Sequence, residues 1–183
     1  MTGDLQPTLE GATLRLRPLQ PDDWDALYAA ARDPEIWALH PARDRWREPV
    51  FRALFDDWLR WGGTLLIEER ASGRAIGAST YRLARAGPGE VEIGWTFLAR
   101  SHWGGAANRE VKRLMLAHAL TFAGTAIFLV GETNRRSRRA MEKIGGRLTD
   151  RTHDASDVGQ ETHVVYAIDR ESFAAGPLMR GQG

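Results

Sequence analysis

The sequence predicts an α/β (α+β) protein in which helices cover a mixed β-sheet. Three observations lead there. Apolar residues recur with a period of two in some segments and three to four in others, in the order β, α, α, β, β, β, loop, α, β, α, β, β. Residues 90–133 read strand, helix, strand, the unit whose crossover makes its two strands parallel neighbours. The flanking strands are joined by short turns, which pairs them antiparallel, so the sheet is mixed.

In residues 12–19, Leu14 and Leu16 alternate with Arg15 and Arg17, the pattern of a half-buried strand, and Pro18 limits its continuation. A helix follows over 21–33. Pro21, Asp22 and Asp23 suit its first turn, where the helix dipole favours negative charge, and Trp24, Leu27, Tyr28 and Ala31 share one face. Pro34 or the residue before it stops this helix. Residues 34–46 hold no sustained period and read as a loop with room for one helical turn. Helical spacing returns through Phe51, Leu54, Phe55, Trp58 and Leu59, and Gly62 with Gly63 ends it.

Two apolar-rich strands, 64–70 and 74–83, meet at the hairpin turn Ala71, Ser72, Gly73. After a second turn at Gly87, Pro88 and Gly89, Val91, Ile93, Trp95 and Phe97 alternate with Glu90, Glu92, Gly94 and Thr96, a strand with one apolar face. Beyond a glycine-rich loop, a helix over 108–123 sets Val111, Leu114, Met115, His118, Ala119 and Phe122 on a single face. Residues 125–133 are apolar with little alternation, which marks a central strand covered on both faces. Asn134 is placed to cap the next helix, whose buried stripe is Ala140, Met141 and Ile144. Residues 145–152 and 161–169 read as a last strand pair across a polar loop at 154–159, and from Ala175 onward the chain reads as a disordered tail.

The 183 residues show no repeat, linker or composition shift, so one domain is expected over 1–183, with a core at about 9–169. No apolar run approaches the ~20 residues of a membrane span, and the N-terminus lacks the basic start and apolar core of a signal peptide. A cytoplasmic protein without a membrane partner is expected. Absent cysteine removes disulfides and thiolates from the chemistry, and His40, His102, His118, His153 and His163 show no ligand spacing, so no metal is expected. A net charge of +1 is too balanced for a nucleic-acid partner.

The segment RSHWGGAANREVKRLMLAHAL (100–120) sets Gly104, Gly105, Ala106 and Ala107 directly before the strongest helix. At the end of a parallel strand, such a loop sits where α/β sheets bind ligands. Small side chains let a phosphate approach several backbone N–H groups, and the helix N-terminus adds partial positive charge. The same residues also serve a sharp turn or close helix packing. Their spacing matches neither the Walker loop GxxxxGK[ST] nor the dinucleotide fingerprint GxGxxG.

The order of elements, the segment EIGWTFLARSHWGGAANREVKRLMLAHA and the segment ETNRRSRRAMEKIGGRL together resemble the GNAT acyl-CoA-dependent N-acetyltransferases. Within them the resemblance is closest to the branch of the ribosomal-protein N-terminal acetyltransferases of the RimJ/RimL type. It covers about residues 9–169 and implies the GNAT fold: a mixed, mostly antiparallel sheet with a splayed parallel strand pair and helices on both faces. It also implies acetyl-CoA as the acyl donor, its pyrophosphate held by backbone amides of a QxxGxG-like loop. Trp103, Gly104, Gly105, Ala106, Ala107 and Asn108 fall on that loop. Ala106 takes the middle glycine position and Asn108 the last, where it adds bulk and is placed to cap the helix instead. Pantetheine would insert between the splayed strands and pair with residues 92–99, implying contacts with Phe97, Leu98 and Ala99 and a bulge near 96–98. Asn134 would touch pantetheine and Ser137 would lie near the thioester sulfur, although an N-cap and an ordinary first-turn serine are equally good readings. Many members carry a general-acid tyrosine four residues beyond that serine; this chain has Met141.

The implied reaction is direct attack of a neutral primary amine on acetyl-CoA in a ternary complex. The acceptor is a protein N-terminal α-amino group or a small-molecule amine, because an amine of pKa ~8 is already partly neutral. Glu92 is the candidate base, acting through a water, with Glu90 as runner-up; solvated or salt-bridged positions are the competing reading of both. Ser137 or water would assist the departing thiol. His102 is expected beside the phosphates and His118 in the core. Trp37, His40, Arg43 and Trp46, between the first two helices, are the candidate acceptor-binding residues. Arg135, Arg136, Arg138 and Arg139 read either as contacts of the coenzyme 3′-phosphate or as a solvated helix face. Met141 keeps a second class open, a noncatalytic acyl-CoA-binding or sensor module. A monomer or homodimer is expected.

Overall fold

Short turns and alternating apolar residues build one eight-stranded sheet in the computed structural model, which describes residues 3–155 and 161–180. The strands are β1 (Leu9–Glu10), β2 (Leu14–Pro18), β3 (Thr64–Glu69), β4 (Ala75–Arg82), β5 (Glu90–Leu98), β6 (Thr125–Gly131), β7 (Arg147–Ala155) and β8 (Glu161–Asp169). The helices are α1 (Trp24–Ala31), α2 (Pro34–Trp37), α3 (Glu48–Trp61), α4 (Ala106–Phe122), α5 (Arg135–Lys143) and α6 (Arg170–Ala175). Sheet order is β1-β2-β3-β4-β5-β6-β8-β7, antiparallel throughout except for β5 and β6. As expected, the sheet is mixed and mostly antiparallel.

The parallel pair matters most. β5 and β6 are registered only where Glu90, Glu92 and the residue between them face Thr125, Ile127 and theirs. Both strands then continue, β5 held by β4 as far as Leu98 and β6 by β8 as far as Gly131, so the sheet divides into two halves. A bulge in β5 accompanies the split. Ala78 faces Phe97 and Thr80 faces Gly94, leaving Ser79 opposite both Trp95 and Thr96. This begins one residue earlier than the sequence led us to expect. Trp95 adopts φ 47, a left-handed conformation rare for a bulky residue. Its ring is held there by Trp61 at 5.0 Å and by the guanidinium groups of Arg82 and Arg85, while the Ser79 and Thr96 hydroxyls meet at 2.7 Å.

Each sheet face carries its own core. On one, Leu14, Leu16, Ile67 and Ile93 pack against Val111, Met115 and Ala119 of α4 and Met141 of α5. On the other, Leu66, Ala78 and Phe97 meet Leu27 of α1, Trp37 of α2 and Phe51, Phe55 and Trp58 of α3. Helices therefore cover both faces. No helix among the described residues is long and apolar enough to cross a membrane.

Three expectations change. α4 begins at Ala106, so Asn108 lies inside its first turn and does not cap it; Gly105 takes the cap position without a side-chain bond. The inward side of α4 also includes Lys112, Leu116 and Leu120, whereas Leu114, His118 and Phe122 are only half-buried. The helix touches β1 and β2 as well as β5 and β6, so a wider arc of it faces inward than one apolar stripe suggests. Finally, the tail is ordered as far as Arg180: Asp169 and Ser172 form a capping box for α6, Leu178 is 4% exposed in the core, and Arg109 donates to the Pro177 carbonyl at 2.6 Å. Residues 181–183 and 156–160, the latter holding most of the expected polar loop, lie outside the described residues.

Candidate active site

Where β5 parts from β6, its edge from Ile93 to Leu98 has no strand partner among the described residues. A slot of about 390 Å³ runs along this edge, walled by Ile36, Trp37, Phe97 and Leu98, and reaches Trp103, Gly104 and Asn108 at the start of α4. Gly104 has φ 70, which turns the chain into the helix. A Cβ at either Gly104 or Gly105 would meet nothing within 4 Å, so the loop faces open space. With no side-chain cap, the first N–H groups of α4 are available to an anion.

Trp103 and Arg136 close one side of the slot. The indole Nε1–H donates to the Leu98 carbonyl at 2.9 Å, and the Arg136 guanidinium lies 4.3 Å from the Trp103 ring while donating to the Ile36 carbonyl. Ala99 faces elsewhere, because its N–H is taken by the Ile76 carbonyl at 2.7 Å. Gly105, Ala106 and Ala107 line a neighbouring groove beside Thr13 and Glu69. His102 borders both spaces and is held by Glu69 at 3.0 Å.

From α5, Asn134 and Ser137 line the slot, and the Asn134 side chain accepts from the Ser137 N–H at 3.1 Å as an N-cap. Deeper in, a cavity of about 170 Å³ shares Trp37, His40, Thr96, Asn108, Asn134 and Ser137 with the slot. Met141, buried, lines it in place of a tyrosine.

Two residues of this inner cavity escaped the sequence reading. Lys112, 3% exposed, donates to the Thr96 hydroxyl at 2.7 Å and lies 5.3 Å from the Phe128 ring; burial pulls its pKa down to about 7. Arg45, 7% exposed, faces a His40 ring nitrogen at 3.1 Å and the Trp37 ring at 5.7 Å; burial lowers it to about 10, Asp44 opposing. His40 falls to about 3, chiefly by burial and then by the charge of Arg45, and is neutral. A signal for Lys112 existed: it stands four residues after Asn108, hence on the same helix side, and Lys112 and Lys143 are the only lysines of an arginine-rich chain.

The expected acceptor residues divide. Trp37 and His40 line both spaces, and Trp37 is fixed by its Nε1–H to the Ala31 carbonyl at 2.8 Å. Arg43 and Trp46 are exposed and line neither, because the turn between α2 and α3 sends Arg45 inward instead. Glu92 also stays outside both. At 1% exposure it is held by Arg85 through bonds of 2.5 and 3.0 Å, burial raising its pKa against the pull of that guanidinium. Glu90 pairs with Arg151 at 2.7 and 3.1 Å, which lowers its pKa. Both carboxylates thus occupy the salt-bridged positions that competed with the base reading.

A model of the acetyltransferase (GNAT) domain matches residues 13–147. No curated protein matches the chain. Among solved structures, an acetyltransferase from Agrobacterium tumefaciens is 26% identical, with 90% of this chain and 95% of that one covered and a TM-score of 0.66. A GCN5-related N-acetyltransferase from Brucella melitensis is 21% identical over 93% and 81% of the two chains, TM-score 0.74. RimJ of Mycobacterium smegmatis, solved in complex with CoA-disulfide, is 18% identical over 98% and 95%, TM-score 0.76. With a matched span of well over half its length, a splayed parallel pair and an open loop at the start of α4, the chain belongs to the GNAT acetyltransferase family.

Proposed function

We propose that this protein transfers an acetyl group from acetyl-CoA to a primary amine, as a cytoplasmic enzyme of the RimJ/RimL-like branch. The unpaired inner edge of β5, leading from the α4 N-terminus to Asn134 and Ser137, is the observation that carries the reading. The coenzyme suits these residues: an open loop for its phosphates, a bare strand edge for its amides and apolar walls for its arm. Trp103, Gly104, Gly105, Ala106, Ala107 and Asn108 would hold the phosphate end, Phe97, Leu98 and Asn134 the pantetheine. When bound, the thioester supplies an activated acyl carbon and a thiol that leaves readily at pKa ~8.5. An N–H of the β5 edge polarises the carbonyl, and Ser137 assists the thiol. The acceptor, a small-molecule amine or a peptide N-terminus, enters through the inner cavity beside Trp37 and His40.

Calorimetry with acetyl-CoA tests the loop. Gly105 has φ -111, a conformation any residue adopts, whereas Gly104 at φ 70 strains any replacement by ~1–2 kcal/mol. Gly105→Val is therefore expected to weaken acetyl-CoA binding with unchanged melting temperature, and Gly104→Val to lose both affinity and stability. Full affinity in Gly105→Val removes the loop from the phosphate site.

Met141 sustains the rival reading of a coenzyme-binding sensor, since no tyrosine stands there to protonate the thiol. Thiol release with a panel of amines and peptides decides between them. In the enzyme reading, Ser137→Ala lowers turnover by less than the ~10²–10⁴ range of general acid catalysis, and Met141→Tyr raises it if thiol departure is limiting. Tight acetyl-CoA binding with no release in the presence of any amine makes the protein a sensor.

A further inference from the structure

The inner cavity gathers positive charge and, among the described residues, no acid. Lys112 of α4 and Arg45 of the segment after α2 both line it, each more than nine-tenths buried. Neither forms an ion pair among the described residues. Lys112 has the Thr96 hydroxyl and the Phe128 ring, Arg45 a His40 nitrogen and the Trp37 ring, and exposed Asp44 acts on Arg45 only through space. Among the described residues, no Asp or Glu lines the cavity. Two buried cations without a counter-charge are unfavourable, and an anion between them removes the penalty. Its volume of about 170 Å³ holds on the order of ten water-sized groups, the scale of a small acid.

We propose that this cavity is an anion subsite in which Lys112 and Arg45 together bind a substrate carboxylate, carried either by the acceptor amine or by the end of the acyl group. This rests on the acyl-transfer reading, because the wall shared with the slot is where acyl group and acceptor would meet. Lys112 binds the anion as an ammonium, so affinity falls as pH rises above about 7. Across the cavity Arg45 stays charged and His40 neutral; among the described lining residues His163 of β8 is the remaining ionisable group, and β5, β6 and α5 add none.

Succinate, titrated calorimetrically into the whole protein, probes the subsite without any turnover. Lys112→Met and Arg45→Gln are each expected to weaken it about tenfold to a hundredfold, the range of a charge-assisted hydrogen bond. Thiol release then separates the two sources. Preference for amino acids over their amides, lost in Lys112→Met, assigns the carboxylate to the acceptor. Preference for succinyl-CoA over acetyl-CoA, lost in the same variant, assigns it to the acyl group. If succinate does not bind, or binds indifferently to both substitutions while acetyl-CoA turnover proceeds, the subsite is overturned and acyl transfer stands. Lys112-dependent succinate binding in a protein that takes no acetyl-CoA upholds the subsite and overturns acyl transfer instead.

Discussion

Lys112→Met is expected to be more stable than the parent protein at neutral pH, by a few kcal/mol, and to lose that advantage as pH approaches the ordinary lysine pKa. The native side chain is buried and titrates at about 7, whereas in the unfolded chain it returns to 10.5. Between those values the unfolded state binds a proton that the native state does not. Stability of the parent therefore rises with pH across this window, by up to ~1.4 kcal/mol per pH unit. Below pH 7 both states hold the proton and the penalty is constant; above 10.5 neither does, and it is gone. Methionine removes the titration and forfeits one hydrogen bond to Thr96, worth ~1 kcal/mol. Urea unfolding of both proteins from pH 6 to pH 10 checks this. A difference independent of pH would mean that Lys112 stays charged in the native protein. Saturating succinate should shrink the gap at pH 7, because an anion in the cavity stabilises the ammonium.

Periodicity alone did not reveal that effect, for a physical reason. Periodicity found α4 because Val111, Met115 and Ala119 share a stripe, yet a stripe defines one face and leaves the others to solvent by default. α4 instead reaches β1 and β2 as well as β5 and β6, so Lys112, Leu116 and Leu120 are buried too. Strands were easier to read. Alternation depends only on the pleat: Val91 and Ile93 went inward as their period required, whereas Phe97, expected on the same face, lies beyond the bulge in the opposite core. What alternation cannot contain is where two paired strands diverge, since β5 past Glu92 has the same composition whether or not a neighbour is present. The segment between α2 and α3 shows the complementary failure. Trp37, the last residue of α2, and His40 were chosen by chemical type and line the cavity, but without a period nothing indicated that Arg45 turns inward while Arg43 and Trp46 remain exposed. In the C-terminal region a signal was present and missed: Asp169 followed three residues later by Ser172 is a helix start, and Leu178 is the apolar residue that ties the end down.

Arg85→Met should be among the most damaging single substitutions on the sheet, costing about 3–5 kcal/mol at neutral pH. Glu92 is 1% exposed and the Arg85 side chain 10%, so removing the guanidinium strands a carboxylate where water does not reach it. The cost has a distinctive pH dependence. Burial already raises the Glu92 pKa above 4.5, Arg85 being the largest opposing influence, and without Arg85 it rises further. A carboxyl with a raised native pKa binds more protons folded than unfolded in the window above 4.5. The variant therefore loses stability as pH rises through that window and recovers part of it on acidification. Adding Glu92→Gln in the same background removes the charge and should restore much of the loss. Alone, Glu92→Gln should cost less than Arg85→Met, because the amide still accepts one bond from the guanidinium. The same pair of proteins settles the employment of Glu92. A structural ion pair predicts that folded Glu92→Gln keeps the parent's pH profile of turnover with a lower melting temperature. A catalytic base predicts the opposite, unchanged melting and turnover lost chiefly at low pH, where neutral amine is scarce. The bidentate contact to Arg85 and the absence of Glu92 from the cavity lining favour the first.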